Sequence, residues 1–122
     1  MFNASRIFVL FVALALLPFA GCHIDAQGVK HSFGTYSTLV SATPDQAIAA
    51  AREVAREMNL TEVVFTSNAS EGKLIATSPD ERTYEFTTFG KGDRVTDLAV
   101  RVGSTGDKDK SFQLLDAIKG KL

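Results

Sequence analysis

Residues 61–102 read TEVVFTSNASEGKLIATSPDERTYEFTTFGKGDRVTDLAVRV. Four runs rich in β-branched and aromatic residues stand in this stretch, each closed by turn-forming residues. In the first run Val63 and Phe65 share one side. Residues 68–72 (NASEG) read as a turn, and residues 73–78 (KLIATS) as the next strand. Ser78-Pro79-Asp80-Glu81 has the composition of a type I turn, with proline at its second position. The third run places Tyr84, Phe86 and Thr88 on one face, and Gly90-Lys91-Gly92-Asp93 reads as a hairpin connection. The fourth places Thr96, Leu98, Val100 and Val102 on one face, with Asp97 and Arg101 on the other. Connections this short leave no room for crossover helices. The stretch therefore predicts an antiparallel meander.

Upstream lies a helix start. Thr43 is the expected N-cap, Pro44 suits the first helical position, Asp45 suits the positive end of the helix dipole, and Gln46 completes a capping box. Ala47, Ile48, Ala51, Val54, Ala55 and Met58 recur at helical spacing, and Asn59 is the expected stop. Arg52, Glu53, Arg56 and Glu57 lie on the other side and read as a solvated face. Residues 32–40 (SFGTYSTLV) precede this helix and read as a first strand, weakened at Gly34.

Downstream, Asp107 or Asp109 can cap a final helix. Phe112, Leu115, Ile118 and Leu122 form its apolar stripe, with Leu114 at the edge and Gly120 ending the helix. The order is β-α-β-β-β-β-α, an α+β fold with both helices on one face of an antiparallel sheet. The expected core comprises Ile48, Ala51, Ala55, Val63, Phe65, Leu74, Ala76, Tyr84, Phe86, Leu98, Val100, Val102, Phe112, Leu115 and Ile118.

The start of the chain has a different character. Residues 7–17 (IFVLFVALALL) are an unbroken run of eleven apolar residues behind one positive charge, Arg6. A spanning helix needs about 20, so the run fits the hydrophobic region of a secretory signal peptide. Pro18 breaks it. Ala20-Gly21-Cys22 resembles the lipobox of bacterial lipoproteins, with Phe19 where leucine is usual. That resemblance implies a signal peptide over 1–21, removed before Cys22. It also implies a diacylglycerol on the Cys22 sulfur and an acylated new amino terminus. Two or three acyl chains hold a protein stably on a membrane, whereas one is marginal. His23, rather than aspartate, follows the cysteine, which favours outer-membrane sorting. Residues 22–31 then form a flexible tether that keeps the 32–122 domain near the membrane.

Chemistry-bearing residues are few. Lys and Arg total 13 against 14 Asp and Glu, a net charge of -1, which gives no basic face for nucleic acid. A single cysteine excludes an intrachain disulfide. Gly103-Ser104-Thr105-Gly106-Asp107 precedes a helix, as a phosphate loop does. Asp107, however, stands where such a loop carries lysine, and its charge opposes an anion. The segment reads instead as a glycine turn with an aspartate cap. His23 and His31, with Asp25 between them, fall in or beside the tether, where no ligand set is held rigidly enough for a metal site. Asp80 and Glu81 sit in a turn, without the burial that tunes a catalytic acid. Tyr36, Tyr84, Phe86 and Phe89 are expected mostly in the core. Two of them on the uncovered sheet face would mark a binding surface.

The chain as a whole resembles an uncharacterised family of short bacterial lipoproteins known only as a domain of unknown function. The resemblance covers the leader with Cys22 and then roughly 34–122. Its most specific stretch is Val100-Arg101-Val102-Gly103-Ser104-Thr105-Gly106-Asp107, followed by Ser111, Leu115 and Ile118. It implies the topology and the compartment, and brings no activity. The expected role is a membrane-anchored, non-enzymatic interaction or accessory module of the cell envelope, with no catalytic residue, cofactor or metal, and with an envelope protein as partner. The alternative is a carrier of a lipid or other small apolar ligand, which would need a cavity of several hundred Å³.

Overall fold

The structure, a computed structural model, describes residues 28–122. The expected signal peptide over 1–21, Cys22, His23 and Asp25 lie outside the described residues. The elements are β1 (Lys30–Ser32), β2 (Thr35–Val40), α1 (Pro44–Glu57), β3 (Thr61–Ser67), β4 (Glu71–Thr77), β5 (Thr83–Gly92), β6 (Val95–Val102) and α2 (Lys108–Lys119). All strands pair antiparallel in one six-stranded sheet, in the order β1-β2-β6-β5-β4-β3. Both helices lie on the same face of this sheet. The α+β architecture expected from the meander is the one observed.

Strand alternation builds the core. Leu74 and Ala76 of β4, Tyr84 and Phe86 of β5, and Leu98, Val100 and Val102 of β6 all point to the helices and are buried. They meet Ala47, Ile48, Ala51, Val54 and Ala55 of α1 and Leu114, Leu115 and Ile118 of α2. Two buried threonines tie the sheet to the start of α1. Thr88 donates its hydroxyl to the Pro44 carbonyl at 3.0 Å, and Thr96 donates to the Ala42 carbonyl at 2.7 Å. Each satisfies its hydroxyl while burying its methyl group. The capping box forms as its spacing requires: the Gln46 amide donates to Thr43 Oγ1 at 3.4 Å, and the Thr43 amide donates to Gln46 Oε1 at 3.1 Å. Asn59 adopts φ 60° after the helix.

Several expectations are corrected. The first strand is two strands. Phe33 and Gly34, at φ 49° and 86°, turn the chain sharply, so Lys30 and His31 leave the tether and pair with Ser37 and Tyr36. Val63 is 59% exposed rather than core. The register of β3 slips between Glu62 and Val64, and the extra residue of this bulge is Val63. Glu62 keeps the helix side, where its carboxylate meets Arg52 at 2.7 Å. Phe65 and Phe112 pack against the core but are only partly buried, while Leu114, expected at an edge, is buried. Leu122, expected in the stripe, lies past the end of the helix and is exposed. Gly72 belongs to β4, not to the preceding turn. The last hairpin turns at Asp93 and Arg94, because β5 extends to Gly92 through an irregularity at Gly90.

Candidate functional site

Three connections meet at one end of the sheet: the β1–β2 turn, the β4–β5 turn and the β6–α2 loop. Register alone brings them together, since Thr35 pairs with Arg101 and Tyr84 pairs with Val102. A cleft of about 620 Å³ opens there, lined in part by Asp80, Glu81, Arg82, Glu85, Arg101 and Thr105.

The glycines of the 103–107 segment fix its geometry. Gly103 and Gly106 adopt φ 74° and 84°. A Cβ on Gly106 would fall 2.4 Å from the Gly34 carbonyl oxygen, and one on Gly34 would fall 2.7 Å from that of Thr105. The β6–α2 loop and the β1–β2 turn thus touch backbone to backbone, an approach open only to glycine. Arg101 locks the contact from the outer face by donating one guanidinium nitrogen to the Phe33 carbonyl and another to that of Ser104. Asp107 caps α2, accepting from the Lys110 amide at 3.1 Å, and receives Arg82 at 3.2 Å. These contacts hold its carboxyl below the ordinary 3.8, chiefly through the Lys110 amide and then through Arg82. Asp80 is also lowered, chiefly by the Ser78 hydroxyl that donates to it.

This arrangement engages Arg82, Arg101 and Asp107 within the fold. Arg101 donates to two carbonyls and Arg82 binds Asp107. The shifted carboxylates move away from the range of a general acid at neutral pH. The loop that looks like a phosphate cradle in sequence is a backbone lock in three dimensions. His31 joins the same construction. It stacks on Tyr36 with ring centroids 4.5 Å apart, and its Nε2 accepts from the Gly34 amide at 3.3 Å. No group of three or more metal-ligating side chains occurs among the described residues. Among those residues, too, no helix is long and apolar enough to cross a membrane.

Among the described residues, no helix packs on the outer sheet face. Of the four aromatics named from the sequence, Tyr36, Tyr84 and Phe86 are buried against the helices and Phe89 alone is outside, 57% exposed. The aromatic pair that would have marked this face does not assemble. Aliphatic residues accompany Phe89 instead: Asp97 pairs with Leu39 on one side and Phe89 on the other. Leu39 was not singled out in the sequence. Alternation assigns it to the outer face of β2, but an isolated leucine gives no signal of its own. The charged quartet on α1 is partly structural. Arg52 lies 3.9 Å over the Phe65 ring and pairs with Glu62, and Glu57 meets Lys121 at 2.7 Å.

A protein-family model described as "Protein of unknown function (DUF3568)" matches residues 6–121. The chain belongs to this DUF3568 family. No curated protein matches it. The DUF3568 match runs through all eight elements of the fold and through the glycine lock.

Proposed function

We propose that this DUF3568 protein is a lipoprotein of the bacterial cell envelope, held through acylated Cys22, whose domain is a non-enzymatic interaction module on the periplasmic side, most simply at the outer membrane. The observation that carries the proposal is the sequence of the leader: eleven apolar residues, a proline, then Ala20-Gly21-Cys22. The form of the domain supports the second half. Its helix-facing interior is filled by side chains such as Phe86, Leu74, Leu98 and Ile118, none of them accessible to solvent. A packed interior leaves a lipid carrier no room between sheet and helices. Arg82, Arg101 and Asp107 at the glycine loop hold the fold together. What the domain offers outward is surface, and an anchored surface is a means of association.

Metabolic labelling with palmitate tests the anchor: wild type takes up label and Cys22→Ala does not. Equal labelling of the two removes the anchor. Crosslinking in intact envelopes, followed by purification of the full chain, tests the role. A protein partner supports association, whereas co-purified lipid with no protein partner favours the carrier.

A further inference from the structure

The end of the sheet opposite the glycine lock combines three features. The first is the path of the chain. Lys30 pairs with Ser37, and Gly28 continues alongside β2 until its α-carbon lies against Thr38, where an added Cβ would be 3.6 Å from the threonine hydroxyl. The backbone is therefore heading away from the lock when it reaches residue 28. Residues 23–27 separate this point from Cys22, a reach of at most about 20 Å at about 3.3 Å per residue step. The second is exposed apolar surface. Leu39 is 55% exposed, Phe89 57% and Leu122 47%. The third is positive charge. A cleft of about 400 Å³ is bordered by Gly28, Leu39, Lys30, Lys91, Lys119 and Asp97, three ammonium groups to one carboxylate. Leu39 and Lys119 also border a second hollow with Leu122. None of the three lysines forms an ion pair among the described residues, and Lys91 lies 5.8 Å from the Phe89 ring centroid.

We infer that this end of the domain lies on an anionic lipid surface, with Leu39, Phe89 and Leu122 reaching the acyl boundary and Lys30, Lys91 and Lys119 meeting the headgroup phosphates. Aromatic and aliphatic side chains ringed by lysine suit the interface between hydrocarbon and headgroup, where the long lysine stems let the charge stay in water. Anionic headgroups supply the complementary charge. The inference rests on the acylation of Cys22, because the short exit segment is what brings this end to the bilayer. Asp97, and the exposed Asp93 and Glu71 nearby, reduce the positive charge without cancelling that of the cleft. The opposite end, with Phe33 92% exposed, is turned away from the membrane.

The chain contains no tryptophan, so one introduced residue reports alone. Full-length acylated protein carrying Phe89→Trp, and separately Phe33→Trp, is reconstituted into vesicles of phosphatidylethanolamine and phosphatidylglycerol with brominated acyl chains. The expected result is blue-shifted emission from Phe89→Trp, quenched several-fold more strongly than that from Phe33→Trp. Adding Lys30→Glu, Lys91→Glu and Lys119→Glu reduces the difference several-fold, as does replacing phosphatidylglycerol with phosphatidylcholine. Equal quenching at the two positions, in protein whose intact mass carries the acyl groups, overturns the docking and leaves the anchor standing. Unchanged quenching after removal of either charge overturns the role of the lysines. An intact mass without acyl groups overturns the anchor and the docking together.

Discussion

The two ends of the sheet use their surface groups in opposite ways. At the end where β1 turns into β2, nearly every unusual residue is engaged internally. Gly34 lies on Gly106, Arg101 holds two carbonyls, Arg82 holds Asp107, and His31 stacks on Tyr36. At the end where α2 finishes, lysines and apolar side chains face outward. The first end carries the most distinctive sequence and the second the most available chemistry. Motif density therefore measures constraint, and constraint here comes from packing one loop on another.

Substitutions can break this contrast. The largest effect is expected at the lock. Gly106→Ala combines a left-handed φ with a Cβ 2.4 Å from a carbonyl oxygen that cannot rotate away. It should cost about 2–4 kcal/mol in urea unfolding, strain and backbone displacement together. A loss below about 0.5 kcal/mol would show that the loops do not touch. Ser111→Ala comes next, with the opposite sign. The Ser111 hydroxyl is buried without a hydrogen-bond partner among the described residues. Removing it should raise stability by about 1 kcal/mol. A decrease would reveal a partner for the hydroxyl.

Asp107 sharpens the comparison through pH. Its folded carboxyl lies below the ordinary 3.8, so its charge stabilises the fold above that value. The contribution falls as pH drops through the folded value. Asp107→Asn keeps an N-cap but removes the charge paired with Arg82. Thermal melts should show wild type above the variant at neutral pH and the two converging in acid. A difference that stays constant with pH would place the effect in the cap rather than the charge. The smallest effect belongs to the other end. Phe89→Ala should change stability by no more than about 0.5 kcal/mol, as an exposed side chain outside the core. A larger loss would mean that the ring supports the fold and is not free for a partner surface.

Much of the fold was legible because its rules are local. Alternation placed Leu98, Val100 and Val102 without reference to the rest of the chain, and the Thr43–Gln46 spacing gave the helix start. What escaped depended on contacts between distant residues. The bulge that turns Val63 outward follows from where Glu62 must meet Arg52, and nothing in TEVVF announces it. The split at Phe33-Gly34 follows from the place Gly34 takes against the 103–106 loop. The candidate site divides in the same way. The glycine loop was visible as a motif and its structural use was deduced from Asp107, but Leu39, Phe89 and Leu122 come together only through strand register and the path of α2.

Gly72 carries a consequence for how this domain can vary. A methyl group there would fall 2.7 Å from both Cβ and Cγ2 of Ile48. The gap between the first helix and the fourth strand is therefore set by a missing side chain on one and a branched one on the other, like a tongue in a notch. The Thr88 hydroxyl, 2.8 Å from the same point, closes the notch from the neighbouring strand, and even alanine at position 48 keeps its Cβ, so Gly72→Ala should not be rescued by Ile48→Ala.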